Sequence, residues 1–233
     1  MTLMIIPSSD FWPLCDACEP STTRPVVIFI TPLTDELIST LEERAVRLDP
    51  SKRTFVEAGG SPLRRALRVA QLELVYRGCA LFALDAHGVS LASDDGGAPR
   101  LVLCDSASAP TPCDHLPHVS VSHCDDALAL ALSRHRVGVD VERLRTLPDR
   151  PMTQLFSETE IASVVDDETF TEAWVRKEAY AKWLGTGLRD ALASGIYQTD
   201  TTVMRFELAG SSLWIGCAGS GCTDASVRSI DLA

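Results

Sequence analysis

The chain lacks any uninterrupted apolar run of the ~18–20 residues that crossing a bilayer requires. Met1 to Asp10 also lacks a basic region followed by a long apolar core, so no export signal is expected and a cytoplasmic location follows. Positive charge is scarce. Lys and Arg total 21 against 32 Asp and Glu, for a net charge of −11. Nonspecific nucleic-acid binding needs a cationic surface, which argues against that class, although a local cluster of Arg and Lys can still make a positive cleft. Metal-binding cysteine pairs are few as well. Of eight cysteines only Cys15 and Cys18 have Cys-x-x-Cys spacing, and Cys217 and Cys222 are spaced differently. A structural zinc site usually needs two such pairs. The cysteines, Cys79, Cys104 and Cys124 among them, therefore read as reduced thiols, some buried. Ordinary charge and apolar content in 233 residues suits a soluble globular protein of one or two domains.

Along the chain, Val26–Ile30 is a short apolar run that predicts a buried strand. Asp35–Arg47 carries apolar residues at helical spacing. Ser61 as N-cap with Pro62 behind it predicts a helix through Tyr76, with Leu63, Ala66, Leu67, Ala70 and Leu74 as its apolar stripe. Residues 80–104 suggest short strands broken at Ser93–Gly97. Cys104–Pro117, rich in Ser, Ala and Pro, is the expected linker, which places the domain boundary between 1–115 and 116–233. Val119–Ser122 opens the second half as a strand, and Ala127–Leu132 with Val137–Val141 is expected to form a hairpin turning at Ser133–Arg136. Ser157-Glu158-Thr159-Glu160 has capping-box form and predicts a short helix through Val165. Thr169–Leu184 predicts the longest helix of this half, stopped by Gly185 and Gly187, with closing strands at Met204–Leu208 and Leu213–Cys217. The order of elements suits an α+β protein, and both halves share a helix-plus-strands order consistent with a duplicated unit.

Chemistry concentrates between Val137 and Lys182. On a strand, Val137, Val139 and Val141 share one face, while Asp140 and Glu142 share the other beside Gly138. On the helix, Trp174, Glu178 and Lys182 line one side, and Lys177 flanks them. Three carboxylates that can converge suit Mg²⁺, a hard cation that takes oxygen ligands and fills its octahedron with water and phosphate oxygens. A lysine one turn from Glu178 can reach the same phosphate. Taken singly, each half has an ordinary reading: a solvated strand edge, and a surface Glu–Lys pair. Trp174 reads as the core residue that locks its helix.

In order, Val119-Ser120-Val121-Ser122-His123, Gly138-Val139-Asp140-Val141-Glu142, Leu155-Phe156-Ser157, Trp174-Val175-Arg176-Lys177-Glu178-Ala179-Tyr180-Ala181-Lys182 and Gly185-Thr186-Gly187-Leu188 resemble the motifs of 4′-phosphopantetheinyl transferases of the long, single-chain Sfp type. The resemblance covers residues 117–190, about a third of the chain. It implies a pseudodimeric fold of two similar subdomains, acting as a monomer. It implies an enzyme of the holo-[acyl-carrier-protein] synthase type, with coenzyme A and an apo acyl or peptidyl carrier protein as partners and neither nucleic acid nor membrane. Asp140, Glu142 and Glu178 are then the Mg²⁺ ligands, and Glu178 and Lys182 the catalytic pair. Ser122 and His123 would contact the 3′-phosphate of coenzyme A, and Lys177 and Lys182 would face phosphates. The family's upstream Gly-Lys-Pro element is Gly97-Ala98-Pro99 here, followed by Arg100, which could supply the missing charge. Arg53, Arg64, Arg65 and Arg68 are the candidates for a further nucleotide-phosphate contact, with Arg65 taken for that role. The same acids would also serve a metal-dependent phosphoesterase, or persist in a non-catalytic relative that binds coenzyme A or a carrier.

Overall fold

A computed structural model describes residues 26–48, 50–94, 97–103, 116–149, 152–153, 156–185 and 201–232. The Cys15/Cys18 pair, most of the expected linker, Leu155 and the Gly187-Leu188 element lie outside the described residues.

Two sheets stack face to face between helices. The first runs β4 (His118–Cys124), β5 (Ala127–Ser133), β1 (Val26–Pro32), β9 (Ser226–Ser229). β1 is antiparallel to β5 and parallel to β9. The second runs β6 (Gly138–Glu142), β8 (Ser211–Ala218), β7 (Thr201–Leu208), antiparallel throughout. β2 (Val89–Ser93) and β3 (Pro99–Leu103) form a separate hairpin.

The pleat decides the layering. In β5 the leucines 128, 130 and 132 join Val27 and Phe29 of β1 against α1 (Asp35–Val46) and α3 (Pro62–Cys79). The alanines 127, 129 and 131 join Val26, Ile28 and Ile30 against Val139 and Val141 of β6 and Leu213 and Ile215 of β8. Large residues thus fill the helix-to-sheet space and small ones let the sheets approach. Each fully buried Leu or Ile contributes roughly 1.5–3 kcal/mol relative to exposure. The outer face of the second sheet receives α5 (Asp167–Leu184), giving the order helices, sheet, sheet, helix.

The expected hairpin between Ala127–Leu132 and Val137–Val141 does not form. β5 pairs on one side with β4, through a tight turn at Asp125–Asp126, and on the other with β1. With β4 and β1 on its two edges β5 has none free, so after Ser133 the chain crosses to the second sheet, where β6 pairs with β8. β1, from the first half, lies between two strands of the second, so the halves are interlaced through one sheet. Residues 80–88 make two short 3₁₀ turns rather than a strand. α2 (Pro50–Glu57) and β9 were not expected. The helix caps agree with the sequence: Ser61 accepts from Arg64 N–H, Ser157 and Glu160 close a capping box on α4 (Glu158–Ile161), and Gly185 ends α5 in the left-handed region at φ 70°.

Candidate active site

The site exists because α5 lies directly on the backbone of β6 and β8. Gly138 and Gly216 make this possible. A Cβ at Gly138 would meet the Ala179 carbonyl oxygen at 1.9 Å, and one at Gly216 would meet the Val175 carbonyl oxygen at 2.2 Å. The room left by Gly138 is therefore filled by the helix itself. Asp140, two residues on and paired in register with Gly216, faces the same helix. α5 brings Glu178 and Lys182 over it.

Lys182 Nζ stands 2.8 Å from Asp140 Oδ1 and 4.0 Å from Glu178 Oε2. Asp140 is 1 % exposed, and its Oδ1 also accepts from Ser122 Oγ at 2.7 Å. Its Oδ2 is buried and has no hydrogen-bond partner. Two residues earlier on β4, Ser120 Oγ accepts from Val139 N–H at 3.0 Å, so the two inward serines pin β6 across the layers. Glu142 is half-buried, and its Oε1 accepts from Arg145 Nη1 at 2.6 Å. Burial and the Asp140 charge raise its proton affinity, while Arg145 opposes them. Glu178 is pushed up to about 7, first by burial and then by Asp140, with Glu142 adding to the push and Lys182 and Arg145 opposing it. Asp140 and Glu142 are thus both close enough to act on its charge.

Among the described residues no group of three His, Cys, Asp or Glu side chains is arranged to hold a metal ion as it stands. The reason is visible. Lys182 sits on Asp140 as the neutralising cation, and Arg145 holds one oxygen of Glu142. The donor set nevertheless fits a hard divalent ion, because Asp140 Oδ2 is a buried anionic oxygen left without a partner.

Other expected contacts fall in different places. Ser122 is buried and turned onto Asp140, not outward to a phosphate. His123 is exposed at the surface of β4, and its proton affinity is lowered by burial, then by Lys182 and Arg64, with Asp140 and Asp125 opposing. Lys177 is 1 % exposed, donates to Glu160 Oε2 at 3.1 Å, and lies 4.5 Å over the Phe156 ring, so its ammonium is buried in the α4–α5 packing. Arg65 donates to the Gly60 carbonyl and lines a small cleft with Arg53, Val56 and Glu57. Arg68 donates to the Phe55 carbonyl and stacks on that ring, and Arg53 donates to carbonyls 46 and 48. Arg100 is exposed on β3 opposite Ala92. Of the helical arginines, Arg64 is the one whose charge is felt at His123. Only three lysines occur in the chain, and two of them are on α5.

Beside the acids runs an open groove of about 920 Å³, lined by His123, Glu142, Arg143, Arg145, Phe170 and Trp214 among others. This is the size of a small-molecule cleft. The four described cysteines, Cys79, Cys124, Cys217 and Cys222, are free thiols. No helix among the described residues is long and apolar enough to cross a membrane.

Residues 136–215 match the 4′-phosphopantetheinyl transferase superfamily. The 4′-phosphopantetheinyl transferase gsp of Aneurinibacillus migulanus is 34% identical over 77 residues, which is 30% of this chain and 32% of that protein. The chain thus matches about a third of the length of this curated relative. Asp140, Glu142, Glu178 and Lys182 all fall inside the family span, and the resemblance read from the motifs holds over that segment.

Proposed function

We propose that the chain transfers the 4′-phosphopantetheine arm of coenzyme A to a serine of an apo acyl or peptidyl carrier protein, releasing 3′,5′-ADP. One observation carries this reading: Asp140 of a strand and Glu178 and Lys182 of a helix meet within the segment that matches the transferase superfamily. The enzyme would be of the holo-[acyl-carrier-protein] synthase type and the Sfp class. It would be monomeric and cytoplasmic, with two similar halves at 1–115 and 116–233. The helix–sheet–sheet–helix layering supports the pseudodimeric arrangement.

Asp140, Glu142 and Glu178 would hold Mg²⁺, which when bound supplies charge stabilisation to the diphosphate. Asp140 offers its unpartnered Oδ2, and Ser122 fixes the other oxygen. Glu178 would accept the proton of the carrier serine, directly or through a water, a role that competes with its role as a ligand. The serine oxygen forms its bond to the β-phosphorus as the bond from that phosphorus to the oxygen of 3′,5′-ADP breaks. Lys182, released from Asp140, would stabilise or protonate the departing phosphate. His123, protonated beside an incoming 3′-phosphate, and Arg64 would bind that phosphate, and Arg100 remains a candidate contact. Lys177 and Ser122 support the scaffold in this reading. Positioning and charge stabilisation carry most phosphoryl transfer, and the groove beside Glu142 gives the substrate a place to lie.

The test is to incubate the protein with Mg²⁺, coenzyme A and apo carrier and then weigh the carrier. A phosphopantetheine mass gain that is lost in Asp140→Ala and Glu178→Ala, with the fold retained, is expected. Breakdown of coenzyme A without carrier modification would make the protein a phosphoesterase. Binding with neither would make it a non-catalytic relative.

A further inference from the structure

Glu142 ends β6, and the chain then passes along α5. Its course is fixed at two points. Arg145 N–H donates to Thr171 Oγ1 at 2.8 Å, and Leu147 N–H donates to Asp167 Oδ1 at 2.8 Å. Thr171 is fully buried, and its hydroxyl donates to the Asp167 carbonyl at 2.7 Å. The Arg145 side chain therefore starts from an anchored backbone. Its guanidinium lies 4.6 Å over the Trp174 ring, which leans on Phe170, and its Nη1 reaches Glu142 Oε1 at 2.6 Å. A stacked, planar donor of this kind loses little freedom in holding one carboxylate oxygen. Among the described residues no ion pair engages the other oxygen of Glu142, while the buried Trp174 indole N–H favours its charged form.

We propose that Arg145 is a positioning residue that restricts Glu142 to a single available oxygen and thereby selects a small octahedral cation over a larger one. This inference rests on the metal-site reading of Asp140, Glu142 and Glu178. Its physical basis is coordination number. Mg²⁺ takes six ligands at 2.0–2.1 Å and uses few protein carboxylates, whereas Ca²⁺ takes six to eight at 2.3–2.6 Å and gains from carboxylates that offer both oxygens. Once released from Arg145, Glu142 can offer both.

Absolute affinity does not test this, because removing a cation beside a metal ligand strengthens binding of any cation. The ratio does. Mg²⁺ and Ca²⁺, each alone, are titrated calorimetrically into the metal-stripped full chain, with circular dichroism as a check of folding. Arg145→Ala is expected to lower the preference for Mg²⁺ over Ca²⁺ by roughly tenfold, equivalent to about 1.4 kcal/mol. Arg145→Lys keeps the charge without the fork or the stacking and is expected to fall between wild type and Arg145→Ala. Should Arg145→Ala not fold, Arg145→Lys decides alone. An unchanged ratio in the folded variants, or equal changes for both ions, overturns the proposal. So does a raised KM for coenzyme A with an unmoved ratio, which would make Arg145 a substrate contact. Wild-type protein that binds neither ion overturns the metal reading and this inference together. Wild-type binding that Asp140→Ala abolishes upholds the metal reading whatever Arg145 does.

Discussion

Lys182 Nζ lies 2.8 Å from Asp140 Oδ1, on the one carboxylate of the site that is buried from solvent. The lysine is itself partly exposed, so the pair joins a fixed anion to a movable cation. Lys182 thus has two tasks that compete. It neutralises Asp140 in the free protein, and in the proposed reaction it would meet the leaving phosphate. Lys182→Ala should lower carrier modification by at least about 100-fold, the scale of a lost proton donor or charge stabiliser. The same variant should bind Mn²⁺ alone more tightly, since the resident cation no longer competes. Mass spectrometry of the carrier and titration of the ion check the two arms. Weaker ion binding in Lys182→Ala would contradict the competition.

In the proposed metal site Glu178 would make the ion affinity depend on pH. Its proton affinity is raised from the ordinary 4.5 to about 7 by burial and then by Asp140. The sign follows from linkage. Stability from the neutral group is fully present below the unfolded value and is lost as pH rises through about 7. Ion binding needs the carboxylate, so it runs the opposite way. Mg²⁺ affinity should climb between pH 6 and 8, and binding at about pH 7 should release a fraction of a proton, seen by calorimetry in buffers of different ionisation enthalpy. Glu178→Gln should weaken binding and flatten this dependence.

Gly138 and Gly216 set how closely α5 lies on the second sheet. Alanine at either position drives a methyl into a helix carbonyl, and backbone cannot move aside as a side-chain tip can. Overpacking of this kind typically costs about 1–3 kcal/mol. The larger effect should be on function, because any lift of α5 separates Glu178 from Asp140. Gly216→Ala should lower the melting temperature and reduce carrier modification together. Alanine at Gly60, where a Cβ has no neighbour within 4 Å and the only strain is a φ of 77°, should cost stability without a comparable loss of transfer.

What the sequence made legible follows from where local patterns decide structure. The caps at Ser61, Ser157 and Gly185 are set by neighbours a few residues away, and they stand where the residues indicated. The alternation in Gly138–Glu142 placed Asp140 and the valines on opposite faces, because the pleat leaves no choice. Strand partners are not local. Ala127–Ser133 reads equally well as half of either hairpin, and only the assembled sheet gives its edges to β4 and β1. β9 is short and polar, Ser-Val-Arg-Ser, and carries no apolar signal. Lys177 shows the limit at the site. A helical lysine is ordinarily exposed, and this one is buried because Glu160, which also closes the α4 cap, lies within its reach. Arg145 left one faint trace, a cation three residues past Glu142.

The choice among the α3 arginines rests on His123. Arg64 and Lys182 both act on the imidazole and, with burial as the largest cause, lower its proton affinity in the free protein. A bound phosphate reverses the balance by placing negative charge among three basic groups. Arg65 is engaged with the Gly60 carbonyl at 2.7 Å and faces a different cleft. Arg64→Ala should therefore raise the His123 titration midpoint, followed by imidazole NMR, and raise the KM for coenzyme A roughly tenfold, about the value of one phosphate contact at a partly exposed site. Arg65→Ala should leave both unchanged. If Arg65→Ala moved the His123 resonance and Arg64→Ala did not, the nucleotide contact would belong to Arg65 after all, and the phosphate would have to bind on the other side of α3.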